Sequence, residues 1–309
     1  MNKTANQKRF ILVSRKTRMQ ELIQRFNTWP QARFYLEHNK VDAQDYLAEH
    51  DLYQKRLQQA EQVLKSQGPF QMLERHLLPN YQFSKEDIVV VIGQDGLVAN
   101  TLKYLHEQPV IAINPDPQRW DGKLLPFEIG DLPEALQATL TDRASDKTIT
   151  FAEAKTNDGQ RMLAVNDLFV GPNSHISARY ALKWKDKYEL QSSSGVIIST
   201  GFGSSGWLQS ILSGAMKITD TKDHPLQNGF AWNDQRLQFT VREPFPSNNT
   251  GVELTFGSIS RDAPLIIESM MPEKGVIFSD GIESDYLEFN SGSIVTIGVS
   301  ETQGRLICG

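Results

Sequence analysis

The strongest constraint on this chain is a continuous apolar run, Ile88-Val89-Val90-Val91-Ile92, followed at once by Gly93-Gln94-Asp95-Gly96 and a helical stretch. The run is too short for a typical helix and carries no polar alternation. It therefore reads as a strand buried on both faces, the kind found in parallel sheets covered by helices. Val98, Leu102 and Leu105 share one side of the helix after the loop, and Val110 to Ile113 supply the next strand. A glycine-rich turn between a buried strand and a helix turns backbone N–H groups and the helix dipole toward a phosphate. Asp95 has the wrong charge for holding phosphate, but a carboxylate there could accept a proton from an attacking hydroxyl. Asp-Gly pairs also make ordinary turns, and others occur at Asp121, Asp158 and Asp280, so the loop alone leaves both readings open.

The rest of the first third repeats the strand and helix pattern. Phe10 to Val13 reads as the first strand. Tyr46, Tyr53, Leu57, Ala60 and Leu64 recur at helical spacing, which predicts a long helix from about Asp42 to Lys65 with Asp42 as its cap. Beyond about Pro126 the pattern changes to short alternating segments. Thr148 to Lys155 and Arg161 to Val170 flank Asn157-Asp158-Gly159, a hairpin signal. Further strands are expected at 180–184, 195–200, 237–242, 252–256, 264–269, 275–278, 286–289 and 294–299, with a long polar loop from Thr219 to Asn233. The expectation is an α/β domain over residues 1–127 and a β-rich, two-sheet domain over 128–309, with the site in the cleft between them.

Composition narrows the function classes. A net charge of −5 provides no overall field for nucleic acid or an anionic membrane, and no apolar run approaches the roughly 20 residues a bilayer span requires. Cys308 is the sole cysteine, which excludes an intrachain disulfide and fits an intracellular setting. The first 20 residues carry Lys3, Lys8, Arg9, Arg15, Lys16 and Arg18 without an acidic residue, a bias shared with transit peptides. Because Phe10 to Val13 reads as a core strand, a whole, cytoplasmic protein is expected. Lys16-Thr17-Arg18 follows that strand and reads equally as a phosphate contact or a solvated turn.

Two other features are candidates for chemistry. Ser199-Thr200-Gly201-Phe202-Gly203-Ser204-Ser205-Gly206-Trp207 is a small-residue loop after a strand that leads into a helix containing Leu208, Ile211 and Leu212. Its hydroxyls and N–H groups suit phosphate or ribose, and Trp207 suits a base; a glycine turn with a core tryptophan is the alternative. Asn166-Asp167 interrupts an apolar stretch, where polar side chains need partners from a ligand or a neighbouring turn.

Taken in this order, these segments resemble the NAD kinase family over nearly the full chain. That family carries a Gly-Gly-Asp-Gly loop, then an Asn-Glu pair, then a glycine-serine loop ending in an aromatic residue; Gly93 to Gly96, Asn166-Asp167 and Gly201 to Trp207 correspond. Asn114-Pro115-Asp116-Pro117, Ser177-Ala178-Arg179-Tyr180 and Ser193-Ser194-Gly195 are most similar to the divergent branch that includes the mitochondrial NAD kinase of animals. Phe278-Ser279-Asp280-Gly281 resembles a late family motif, and a hairpin turn explains it equally well. The resemblance implies a Rossmann-like first domain and transfer of phosphate from ATP-Mg to the 2′-hydroxyl of NAD, giving NADP. Asp95 would be the general base. Asn166, Asp167, Ser205, Gly206, Trp207 and Ser210 would bind NAD, and Gly93, Gly96, Gly201, Gly203 and Ser204 would shape the phosphate and ATP site. Mg2+ would arrive with the nucleotide, with no protein metal ligand. The resemblance also implies a homodimer or higher homo-oligomer.

The chain departs from the family in the loop that defines the activity. Gln94 replaces the second glycine and Leu97 a threonine; Asp167 shortens the glutamate, and Phe202 replaces a small polar residue. If the loop needed positive φ at 94, glutamine there would be strained. A catalytically weak NAD(P)-binding protein, or a related lipid or sugar kinase, are therefore the competing readings.

Overall fold

The computed structural model describes residues 8–283 and 285–309; Lys3, counted above among the basic residues, lies outside them. Contacts divide the chain into two units, one running to Lys147 and taking in Arg305–Gly309, the other Thr148–Gly304. The division falls later than residue 127 because a helix not foreseen in the sequence, Leu132–Leu140, packs into the first core.

The first unit contains β1 (Arg9–Ser14), α1 (Arg18–Phe26), α2 (Trp29–His38), α3 (Ala43–Gln67), β2 (Phe70–Glu74), β3 (Asp87–Ile92), α4 (Asp95–Leu102), β4 (Pro109–Asn114), β5 (Phe127–Glu128) and α5 (Leu132–Leu140). Its sheet is parallel in the order β2-β1-β3-β4, with Val89 between Ile11 and Val110. Every residue of β3 is buried, as the unbroken apolar run required. Asp87, buried at the start of β3, is held by the Arg9 guanidinium at 2.9 and 2.8 Å and by the Ser84 N–H. Leu12, Val90 and Ile111 pack with Tyr53, Ala60 and Leu64 of α3 and with Leu132 and Leu136 of α5. Asp42 caps α3 by accepting the Gln44 N–H at 2.8 Å.

The second unit is β-rich, as expected. Its elements are β6 (Ser145–Thr156), β7 (Arg161–Ala164), β8 (Asp167–Pro172), β9 (Ala178–Trp184), β10 (Lys187–Ser193), β11 (Val196–Ser199), α6 (Trp207–Ile218), β12 (Leu237–Val241), β13 (Phe256–Ile259), β14 (Leu265–Ser269), β15 (Gly275–Ser279), β16 (Tyr286–Glu288) and β17 (Ile294–Cys308). One antiparallel sheet has the order β13-β12-β11-β8-β15-β16; in the other, β10-β9-β14 continues onto β17 through Leu265 opposite Ile297. Leu168, Val170, Ile198, Phe239 and Ile277 from the first sheet meet Tyr180, Leu182, Ile267 and Ile297 from the second in one core. On the first sheet's other face, Phe169, Ile197, Val276 and Phe278 pack against Ile211 of α6. The last residues of β17, Arg305 and Leu306, belong to the first unit and lie parallel to Pro109 and Val110.

Two strand expectations are corrected. Arg161 to Val170 is not one strand: it breaks at Val165-Asn166 into β7, which pairs with β6, and β8, which pairs with β11 and β15. Residues 252–255 are not strand, and pairing there begins at Phe256. Among the described residues, no helix is long and apolar enough to cross a membrane.

Candidate functional site

In the first unit the loop after β3 reaches the carboxyl end of the parallel sheet, where open α/β sheets bind ligands. The Gly93 N–H is spent on Ile113 O at 3.2 Å. Those of Gln94, Asp95 and Gly96, at the start of α4, have no acceptor among the described residues. Gln94 adopts φ −120° and ψ 163°, extended backbone open to any residue, so the strain raised by its departure from glycine does not arise. Leu97 is buried and packs onto Gly93, where an added Cβ would lie 2.8 Å from Leu97 Cδ2. The second departure thus fills the underside of the loop. Gly96 has open space where a Cβ would stand.

Asp95 begins α4, and both its oxygens face the following loop. Oδ2 accepts the Lys123 N–H at 3.0 Å and Oδ1 the Leu124 N–H at 2.8 Å. That loop is shaped by Asn114, which accepts the Asp116 N–H and donates to Trp120 O, and by Gly122 at φ +61°, where a Cβ would come within 2.8 Å of the Asn114 amide. Each carboxylate oxygen retains a second acceptor direction.

Beside it, Arg15, just after β1, and Arg18, which opens α1, bind Glu49 on α3, and Arg18 and Arg119 bind Asp45. Hydrogen bonds from Arg119 and Arg18 hold Asp45 well below the usual carboxylate range. Burial pushes Glu49 upward, but the bonds from Arg18 and Arg15 outweigh it and leave its pKa lowered. The Tyr53 hydroxyl donates to Ile92 O at 3.0 Å and accepts the Arg15 N–H at 3.0 Å, tying the ends of β1 and β3 together; burial pushes its pKa up to about 12. Arg15 and Arg18 are committed to this network, while Lys16 Nζ meets Gln24 at 2.9 Å.

In the second unit, Asn166 and Asp167 occupy the break between β7 and β8. Asp280, at φ +56° after β15, accepts the Asn166 N–H at 2.6 Å and the Val165 N–H at 3.1 Å. Asn166 O accepts the Thr200 N–H at 2.9 Å, and the Thr200 hydroxyl donates to Val165 O. The backbone of the break is thereby satisfied, whereas the Asn166 side-chain amide makes no hydrogen bond among the described residues. Ser199, opposite Asp167 across the β8–β11 ladder, donates its hydroxyl to Asp167 Oδ1. Burial pushes Asp167 up to about 7; the Ser199 bond opposes the shift and the Asp280 charge adds to it.

The loop from Gly201 to Trp207 packs onto this break. A Cβ on Gly203 would stand 2.1 Å from Asn166 O, and one on Gly201 1.9 Å from Ala231 O, so close backbone approach alone requires both glycines. Ser204 is buried, donates to Gly201 O at 2.6 Å and accepts the Phe230 N–H at 3.0 Å. Phe202 is buried edge-on against Trp232 at 4.9 Å, which accounts for an aromatic residue in place of a small polar one. Gly206 caps α6, Trp207 opens it with its ring half-exposed, and the Ser210 hydroxyl returns to Gly206 O at 3.2 Å. Ser205 is exposed.

The two halves thus differ in how far their predicted residues converge. Asn166, Asp167, Gly203 and Ser199 are brought together in the second unit, and Gly93, Asp95 and Gly96 in the first. Asp280, which orders the Asn166 turn, stood in the sequence only as an Asp-Gly pair within a segment read equally as a late family motif or a hairpin turn. Among the described residues, no group of three His, Cys, Asp or Glu side chains is arranged to hold a metal ion.

No protein-family model matches the chain, and no curated protein matches it. Solved structures do. A yeast NADH kinase complexed with NADH aligns over 99% of this chain and 84% of its own, with 13% identity and a TM-score of 0.60. An NAD kinase from Archaeoglobus fulgidus in complex with ATP aligns over 96% and 92%, with 16% identity and a TM-score of 0.57. The chain is similar to these enzymes in fold over nearly its whole length.

Proposed function

We propose that the chain is an NAD kinase, transferring the terminal phosphate of ATP to the 2′-hydroxyl of the adenosine ribose of NAD. The observation that carries this reading is the Asn166-Asp167 break. Asp280 and Thr200 satisfy its backbone, the Asn166 amide is left without a protein partner, and Asp167 is balanced between its charged and neutral forms near neutral pH. Such a pair offers a donor and acceptors to a ribose or base edge. The neighbouring residues Ser205, Gly206, Trp207 and Ser210 complete the proposed NAD contacts.

Asp95 is assigned the base. Its oxygens are oriented by two backbone N–H groups and keep acceptor capacity for a hydroxyl proton. The free N–H groups at the start of α4 suit a phosphate, with the open space at Gly96 admitting it; Gly93, Gly201, Gly203 and Ser204 hold the loops in place. Mg2+ would be ligated mainly by the ATP phosphates. A cytoplasmic, homo-oligomeric enzyme of the mitochondrial-type branch completes the proposal.

A second reading is favoured by one detail. Both Asp95 oxygens already serve the 123–124 backbone, so the residue also has a purely structural use, and an NAD(P)-binding protein without turnover would retain it. Incubating the purified protein with NAD and ATP-Mg and quantifying NADP, with Asp95→Asn in parallel, decides between them. Turnover that falls by at least a hundredfold in the variant, with NAD affinity preserved, supports the kinase. NAD binding without NADP production by the parent overturns it in favour of the binding protein.

A further inference from the structure

On the second unit, Phe169, Trp207, Phe278 and Tyr286 line a cavity of about 440 Å3 that the reaction above does not use as such. Phe169 and Phe278 stack with centroids 4.9 Å apart, and the Trp207 ring is tilted toward them at 6.1 and 6.5 Å. The sheet below is covered by α6, yet Trp207 and Tyr286 remain 39% and 46% exposed at the cavity wall. Trp207 and Tyr286 offer ring faces above the buried Phe169–Phe278 stack, a lining usual for a small-molecule site, and the volume is in the ordinary range for one.

The polar groups there are unspent. Arg242, half-buried just after β12, makes no ion pair or side-chain hydrogen bond among the described residues. The Ser174 hydroxyl, just after β8, is buried with no partner among them, a costly arrangement unless something fills it. Glu283 also lines the cavity without a cation partner among the described residues. Stacking surfaces, a cation and a hydroxyl donor together select a flat ring bearing a negative charge.

We propose that this cavity is a second ligand site, which takes a planar aromatic ring carrying an anionic group. The ring lies between Trp207 and Tyr286, over the buried Phe169–Phe278 stack; the anion meets Arg242 and Ser174, and Glu283 accepts a hydroxyl or amino donor from the ligand. The anionic end is separate from the Asn166-Asp167 break. Asp167 begins β8 and Pro172 ends it, a span of about 17 Å at ordinary strand rise. The site shares Trp207 with the proposed NAD contacts, but Arg242, Ser174, Glu283 and Tyr286 belong to it alone, so it stands without the phosphotransferase reading. Two sources share the chemistry, a nucleoside monophosphate and a free aromatic carboxylate.

The test is calorimetric titration of the full chain with AMP and, separately, with pyridine-3-carboxylate. The parent is compared with Arg242→Ala, Arg242→Lys, Tyr286→Ala and Asp167→Asn. At least one probe binds the parent; Arg242→Ala and Tyr286→Ala weaken it tenfold or more, while Arg242→Lys and Asp167→Asn stay within about threefold. Binding of AMP alone identifies the nucleotide as the source, and binding of the carboxylate identifies the aromatic acid. Absence of binding by both probes at millimolar concentration overturns the site. Unchanged affinity in Arg242→Ala does so too, as does loss of binding in Asp167→Asn with Arg242→Ala unaffected, which assigns the probe to the NAD reading. Should Arg242→Ala fail to fold, Tyr286→Ala on the exposed edge strand decides alone.

Discussion

The carboxylate of Asp280 accepts the backbone N–H of Asn166 at 2.6 Å. It accepts the Val165 N–H as well, so one side chain supplies the acceptors that the ladder loses where β7 ends and β8 begins. Without it, two donors in a partly buried turn would be left unpaired, each costing on the order of 1 kcal/mol or more. Asp280 also sits at φ +56°, where alanine is disfavoured by a further ~1 kcal/mol and asparagine is tolerated. Asp280→Ala is therefore expected to lose about 2–4 kcal/mol in urea unfolding and to weaken NAD binding. Asp280→Asn should lose about half as much. Equal losses in the two variants would mean that the carboxylate bonds do not order the turn.

Asp167 gives the protein a pH dependence of predictable sign. Burial, aided by the Asp280 charge and opposed by Ser199, raises it from 3.8 to about 7. Between those values the folded chain holds a proton that the unfolded chain has released. Stability must then fall as pH rises through that window, with the loss complete above it. Asp167→Asn removes the titration, so its unfolding free energy should exceed the parent's at pH 8, by at most about 4 kcal/mol, and the difference should shrink toward pH 4. Urea unfolding at pH 5 and pH 8 reads this directly. Curves for parent and variant that run parallel would sink the assignment.

Much of the first unit was legible because burial on both faces writes an unmistakable pattern. The β3 run, its loop, the start of α4 and the cap of α3 fall where the sequence puts them; α4 ends at Leu102, a turn short of the Leu105 expected on its apolar side. The misses have a common physical origin. β2 and β10 lie at sheet edges, and their polar residues hide the strand pattern. The break at Val165-Asn166 was read as continuous strand because apolar residues flank it; what makes it a turn is Asp280, distant in sequence. Glycine was informative only about backbone: Gly201 and Gly203 reflect close packing, which no local reading separates from a ligand contact. Arg242 and Ser174 carry no motif at all, and only the fold brings them to one cavity.

Gln94 was the residue most at odds with a phosphate loop, and its conformation makes the discrepancy small. It is the N-cap of α4, extended, and its side chain makes no capping bond. Gln94→Gly should change stability by less than about 1 kcal/mol, because glycine relieves no strain there and adds unfolded-state freedom. Gln94→Ser should gain about 0.5–1 kcal/mol by capping the helix. A large gain from glycine in chemical denaturation would show that the loop does require positive φ.

Gly96 and Gly203 make the sharpest contrast between a glycine kept for space and one kept for packing. At Gly96 a Cβ meets nothing within 4 Å, and the residue lies in the first turn of α4. Gly96→Ala should therefore stabilise the fold by about 0.5–1 kcal/mol. If ATP phosphate approaches the N–H groups there, the same methyl obstructs it, raising the KM for ATP at least tenfold. At Gly203 a Cβ would lie 2.1 Å from Asn166 O, a backbone atom that cannot swing aside. Gly203→Ala must displace either the loop or the Asn166 turn, and a loss of more than about 3 kcal/mol is expected. Thermal unfolding together with ATP-dependent NADP formation separates the two. A stable Gly96→Ala with unchanged KM for ATP would remove the α4 N-terminus from the phosphate site, while leaving the packing role of Gly203 intact.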